Sequence, residues 1–398
     1  MRRWVGWSAK GLVWLAVMSR TDADAASDRG VDLALVQQAL RQGRKTPFLL
    51  LDLERVRAQA RRFKAAIPRL EPHYAVKANP HPAVLAVLIE EGVGFEIASV
   101  AELDLLLGLG VAPEGVFYSN PIKSRESLQY AARAGVQWYV LDSLDELRKI
   151  VAVVPKAKLY LRIETPNTGA EWPLTGKFGA TPDECRDIVE EAARLHADLA
   201  GVTFHVGSQC RNLENWAIGI ANAKRIFGMM DEARFVPRLL DLGGGYPVHH
   251  LKPVPEIEAI GESVTAALAG LPEDLRVIAE PGRFLVSDAG VLVSRVVGTA
   301  MRRGRRWVYL DAGVFHGLME TVEGFRYALH TERSGRGVPS TLAGPTCDSL
   351  DVMMQEAMLP EDLQEGDYVF IASAGAYSTA YATRFNGFPM PEVVLAAR

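Results

Sequence analysis

A (β/α)8 barrel followed by an all-β domain is the α/β fold class that the sequence predicts. From Pro47 to Arg283, short β-branched and aromatic stretches alternate with amphipathic ones, and after Arg283 that alternation stops. The 398 residues suffice for one large domain and a smaller one. In chain order, strands are expected at 73–77, 95–98, 116–119, 138–141, 159–163, 202–206, 239–242 and 277–279, with 48–51 as a lead-in. Helices are expected between them at 53–67, 83–91, 100–109, 125–134, 143–150, 182–195, 215–231 and 256–269, with Ser143 and Pro182 placed as helix-start residues should be. A doubly wound sheet is the other fold this pattern allows, because periodicity does not say whether a sheet closes.

Beyond Arg283 the stretches 285–297, 307–310 and 368–371 are rich in Val, Tyr and Trp and read as strands, while 330–339 reads as a mobile loop. The division expected is a leader over 1–30, a barrel over 46–283 and a β-domain over 284–398, with 31–45 able to pack on the latter. Arg2-Arg3, an apolar stretch from Gly11 to Met18 and Ala23-Asp24-Ala25 outline a signal peptide, but Lys10 interrupts the apolar run. The simpler reading is a non-structural leader, with Met18 a candidate start.

Composition narrows the function classes. A balance of 44 basic against 48 acidic residues offers no general attraction to nucleic acid or anionic lipid. No segment has the apolar length of a membrane span. Cys185, Cys210 and Cys347 are odd in number and lack a CxxC pair, which points to a reducing, cytoplasmic setting. The eight scattered histidines predict no metal site.

Residues able to do chemistry stand at strand ends, where a barrel keeps its site. Lys77, in Tyr74-Ala75-Val76-Lys77-Ala78-Asn79, is either a snorkelling charge or a desolvated amine of lowered pKa suited to Schiff-base chemistry. Gly243, Gly244 and Gly245 expose backbone N–H groups to a close anion, or simply make a tight turn. Glu280 and Arg283 end the next strand, where Arg283 can reach a phosphate or form a structural ion pair. His205 offers a flat ring for stacking on a planar cofactor. Cys347 lies in a polar turn, Gly344-Pro345-Thr346-Cys347-Asp348, and is expected to be exposed and able to exchange a proton.

The ordered set YAVKAN, HVGSQ, DLGGGYP, EPGR, GPTCDSLD and GAY resembles the fold-type III pyridoxal-phosphate decarboxylases, the ornithine and diaminopimelate decarboxylase family, from Pro47 to the C-terminus. The resemblance implies an alanine-racemase-type barrel with a C-terminal β-domain. It implies that Lys77 carries the pyridoxal 5'-phosphate, Glu280 pairs with the ring nitrogen and His205 stacks on the ring. Ser208, Gly243 to Gly245, Arg283 and Tyr377 would hold the phosphate. Glu96 falls where the ornithine enzymes commonly have aspartate, and Arg162 would lie behind the ring.

Cys347 would reprotonate the α-carbon from the partner subunit of a homodimer, with Lys177 and Asp351 resembling a pair that links the subunits. Asp348 would meet the charged end of a diamino-acid substrate. Glu323, or second to it Glu320, would replace an aspartate that eukaryotic-type ornithine enzymes carry. The expected reaction is decarboxylation of ornithine to putrescine, with lysine to cadaverine beside it, in polyamine biosynthesis. The alternatives are a decarboxylase of another amino acid such as diaminopimelate, an amino-acid racemase, or a catalytically silent regulatory relative. Retention of Lys77, Glu280 and Cys347 weighs against the last.

Overall fold

The computed structural model describes residues 31–174 and 176–397, so the expected leader lies outside the described residues. The first strand, β1 (Phe48–Leu51), is followed by eight that form a closed parallel barrel. These are β2 (Glu71–Ala75), β3 (Gly94–Ile97), β4 (Val116–Tyr118), β5 (Trp138–Leu141), β6 (Lys158–Arg162), β7 (Asp198–Thr203), β8 (Leu239–Asp241) and β9 (Arg276–Ala279). Pairing of Glu71 and Pro72 with Ile278 and Ala279 completes the ring, which decides for a barrel over a doubly wound sheet.

The intervening helices begin at residues suited to it. Ser143 accepts the Glu146 N–H, and Thr181 forms a capping box with Glu184 ahead of Pro182. Inside the barrel, Phe117, Trp138, Val140, Tyr160, Leu239 and Ile278 are packed together. The Phe117 ring centroid lies 5.1 Å from that of Trp138 and 5.7 Å from that of Tyr160. The Tyr160 hydroxyl then meets Ser119 Oγ at 2.8 Å, linking this packed layer to the mouth of the barrel.

The second sheet runs β12 (Leu329–Thr331), β15 (Tyr368–Ile371), β10 (Gly290–Arg302), β11 (Arg305–Leu310), β13 (Gly337–Ala343), β14 (Val352–Pro360). β1 belongs to this sheet rather than leading into the barrel: it pairs antiparallel with β10 and parallel with β16 (Glu392–Leu395). Burial on both faces explains this, since Phe48 and Leu50 pack with Val36, Val291 and Val293 while Leu49 packs with Leu292 and Val296. The stretch 330–339 is a strand-turn-strand segment rather than a mobile loop. Leu329 and Thr331 pair with Ile371 and Val369, and Arg333 forks onto Asp367 at 2.8 and 2.9 Å. The strand expected from 285 begins at Gly290, because Arg283–Val286 is helical and Ser287–Ala289 forms a 3-10 turn.

Phe117 is fully buried, so Phe117→Ala leaves a cavity at the floor of the site. The expected loss is about 3–5 kcal/mol of stability, measured as a fall in the urea midpoint.

Candidate functional site

Lys77 does not end β2 but sits in the 3-10 turn Val76–Ala78 that follows it. The turn is fastened from two sides: Tyr377 N–H donates to Ala78 O at 2.7 Å, and the buried Asn79 amide donates to Gly375 O at 2.8 Å. Lys77 Nζ donates to Glu96 Oε1 at 2.9 Å, and Glu96, on β3, is 1% exposed. Desolvation among the strand ends would depress this amine, although 45% of its side chain stays open, but the negative charge of Glu96 outweighs it and raises the pKa above the ordinary lysine value. Of the two readings left open by strand context, the one with a lowered pKa does not hold, since Ala75 and Glu96 are register partners, which the sequence does not show.

Across the mouth, Asp241 at the end of β8 accepts the Gly243 N–H at 2.9 Å and the Thr203 hydroxyl at 2.8 Å. Glu280 follows β9, with Oε1 buried and without a hydrogen-bond partner. Burial and the charges of Asp241 and Glu96 raise its pKa well above the ordinary carboxylate value, against the opposing pull of Lys77, so this end of the barrel favours a proton at Glu280. Arg162, at the end of β6, is itself depressed by burial. Its guanidinium lies 5.3 Å over the Phe178 ring.

His205 follows β7. Gly207 N–H donates to its Nδ1 at 3.0 Å, and burial with Arg162 and Lys77 nearby pushes its pKa well below the usual value. A neutral, flat ring results. Arg162 and His205 line a cavity of about 790 Å³ together with Glu164, Asn167, Lys177 and Phe178. That volume suits a small-molecule ligand.

The glycine loop has no room for side chains. Gly243 (φ 61°) and Gly245 (φ 101°) take left-handed conformations, and a Cβ would lie 2.1 Å from Phe204 O and 2.3 Å from Gly207 O respectively. Ser208 is tied to Trp172 by backbone hydrogen bonds of 3.0 and 3.3 Å. Tyr377 holds φ 55°, a strained value for this residue type, and its ring packs on Arg283. Both terminal nitrogens of Arg283 donate to Glu320, so the competing ion-pair reading holds for them, while its buried Nε has no partner. A side-chain-free cradle, a buried donor without an acceptor and a protonated buried carboxyl fit an anionic group attached to a ring with a basic nitrogen.

The remaining residues lie elsewhere. Cys347 is exposed, its backbone N–H and thiol both donating to Asn386 Oδ1 at 3.2 and 3.3 Å. Asp348 is exposed and accepts the Leu350 N–H at 2.8 Å. Glu323 is exposed at the end of the 3-10 turn Met319–Glu323, whereas Glu320 is largely covered and paired with Arg283. Asp351, expected to face Lys177 across an interface, is instead 2% exposed and accepts Val314 N–H, Thr346 N–H and the Thr346 hydroxyl, which shapes the Cys347 loop. Asn79, Asp241 and Ser119 were not assigned from sequence. For Asp241 a signal existed, a carboxylate ending the strand beside that of Glu280.

The family model described as "pyridoxal-dependent decarboxylase, pyridoxal binding domain" matches residues 53–287. The chain is 36% identical to a lysine/ornithine decarboxylase of Selenomonas ruminantium, covering 88% of this chain and 89% of the relative. It is similar to the crystal structure of a lysine/ornithine decarboxylase complexed with cadaverine from Vibrio vulnificus, with TM-score 0.85, 34% identity, and 92% and 99% of the two chains covered. A Paramecium bursaria Chlorella virus arginine decarboxylase bound to agmatine gives TM-score 0.86 at 29% identity, over 92% of this chain and 100% of that one.

The raised pKa of Glu280 has a sign. The folded chain holds this proton above 4.5, the ordinary value, while the unfolded chain releases it, so the stabilisation is complete below 4.5 and is lost as pH climbs through the folded value. In the cofactor-free protein, the stability of wild type relative to Glu280→Gln is expected to fall as pH rises above 4.5, by up to about 1.4 kcal/mol per unit, measured by denaturant titration.

Proposed function

Because the chain belongs to the pyridoxal-dependent decarboxylases, we propose that it removes the α-carboxylate of L-ornithine as CO2 to form putrescine, and acts on L-lysine to form cadaverine. The observation that carries this is the constellation at the barrel mouth: Lys77 against Glu96, and a protonated Glu280 facing a glycine cradle and a neutral His205. When bound, pyridoxal phosphate supplies the electron-withdrawing ring that takes up the electron pair left on the α-carbon as CO2 departs.

The chain's residues supply the rest. Lys77 would hold the cofactor through its amine and yield that place to the substrate's amine. Glu96 keeps that lysine's proton at hand, and Glu280 keeps a proton on the ring nitrogen, sustaining the electron-withdrawing state. His205, uncharged, covers one ring face without competing for the proton. Ser208, the Gly243–Gly245 backbone, Arg283 and Tyr377 bind the phosphate, and Arg162 walls the far side.

Cys347 returns a proton to the α-carbon, and Asp348 meets the distal ammonium of the substrate. On their own chain both are exposed, which supports a homodimer in which each loop completes the partner's site. Exposed Leu350, Tyr381 and Phe385 near this loop give such an interface apolar area. Glu323, exposed beside them, is the candidate for a second acidic contact with substrate. The absence of CxxC pairs and of a membrane-spanning helix among the described residues supports a cytoplasmic enzyme.

Three experiments test the reading. Given equal ornithine, lysine, arginine and diaminopimelate, the enzyme is expected to release putrescine, with or without cadaverine, by mass spectrometry; lysine from diaminopimelate would refute the acidic distal contact. Lys77→Ala is expected to abolish the long-wavelength absorbance of lysine-bound cofactor and to lower turnover at least about 10³-fold. Cys347→Ala should keep that absorbance yet slow putrescine formation by roughly 10²-fold; unchanged turnover and product profile would remove Cys347 from the mechanism.

A further inference from the structure

Arg283 is enclosed more completely than an anion-binding arginine at a cavity wall needs to be. Its Cζ lies 5.0 Å from the Trp172 ring, 5.4 Å from that of Phe325 and 4.9 Å from that of Tyr377. Glu320 accepts from Nη1 at 3.0 Å and also from Nη2, and the Tyr327 hydroxyl donates to Glu320 at 3.3 Å. The two charged side chains are 4% and 10% exposed. Rings against the guanidinium and a carboxylate across its outer edge leave it one orientation, and Nε–H is the buried donor still without an acceptor. A buried N–H in that state is unfavourable until an acceptor reaches it. For Glu320 the same geometry closes off another role, because a substrate ammonium would have to displace a two-pronged guanidinium from a buried carboxylate.

We propose that Glu320 is a positioning residue for the cofactor's phosphate, acting through Arg283 by fixing the guanidinium so that Nε–H donates to a phosphate oxygen, and that it does not bind the distal ammonium of the substrate. This rests on the reading of Arg283 and Gly243–Gly245 as the phosphate cradle. Glu320 thereby contributes to the affinity for a phosphorylated ring without touching it, and the choice of diamino acid is left to other carboxylates.

The test titrates the cofactor-free enzyme with pyridoxal phosphate and with pyridoxal, which lacks the phosphate, following cofactor absorbance. Glu320→Gln is expected to weaken pyridoxal phosphate roughly ten- to hundredfold, to leave pyridoxal within about twofold, and to leave KM for ornithine unchanged at saturating cofactor. Glu320→Asp should restore part of the loss. An unchanged preference for the phosphate form in Glu320→Gln overturns the proposal, and so does a raised KM for ornithine with cofactor affinity intact. Arg283→Ala separates the two layers: if it abolishes the preference while Glu320→Gln keeps it, the cradle stands and the role of Glu320 falls. If Arg283→Ala also keeps the preference, the cradle reading itself fails. Should Glu320→Gln not fold, Tyr327→Phe removes only the hydroxyl donor to Glu320. It is expected to weaken pyridoxal phosphate about two- to fivefold and pyridoxal not at all, and equal weakening of both overturns the proposal.

Discussion

Three carboxylates, Glu96, Asp241 and Glu280, are brought to one end of a closed barrel, and the rest of the site depends on how their charge is balanced. Buried anions repel one another and lack water, so the cluster survives only by pairing or by holding protons. Glu96 takes Lys77, Asp241 takes the Gly243 N–H and the Thr203 hydroxyl, and Glu280 is pushed towards its protonated form. The opposite requirement acts on His205, kept neutral by burial and by the cations of Arg162 and Lys77. Neighbouring groups are thus pushed in opposite directions, Glu280 towards its protonated form by burial and the other carboxylates, His205 towards its neutral form by burial and the cations.

The backbone of the site obeys a second constraint, close approach. At Gly243 and Gly245 any side chain would collide with the carbonyl oxygens of Phe204 and Gly207, so the loop can only present N–H groups and carbonyls. Tyr377, in the left-handed region, donates to Ala78 O in the turn that carries Lys77, and Asn79 after that turn donates back to Gly375 O. A conformation of this kind costs about 1–3 kcal/mol and persists only where its surroundings over-determine it. The β-domain therefore does more than cover the barrel, since Tyr377 and Gly375 from one domain and Ala78 and Asn79 from the other form one unit.

Much of this was legible because a parallel barrel collects strand C-termini at one face. Lys77, His205, Glu280 and the glycine run stand within a few residues of such ends, and they converge although up to about 200 residues separate them in sequence. What escaped were interactions whose partners have no periodic relation. Nothing local marks Glu320 as the counterion of Arg283, Asn79 as the anchor of Gly375, or β1 as a strand of the distant sheet. The stretch 330–339 misled for a related reason: its glycine and arginine content reads as a loop, but pairing with β15 and the Arg333–Asp367 fork order it.

By itself, the sequence determined the α/β class with a trailing β-domain, the family and the chemistry available, since alternation of strand and helix signals and an ordered set of motifs are properties of the chain, while closure of the sheet was decided by tertiary pairing. Protonation was decided only by the tertiary structure. Lys77 reads equally as a snorkelling charge or a desolvated amine until Glu96 is placed 2.9 Å away, and Arg283 reads as a phosphate ligand or half of an ion pair until Glu320 closes on it. The physical reason is that burial and Coulomb energy depend on distances through space, which closure of the barrel and docking of the β-domain set and which spacing along the chain does not encode.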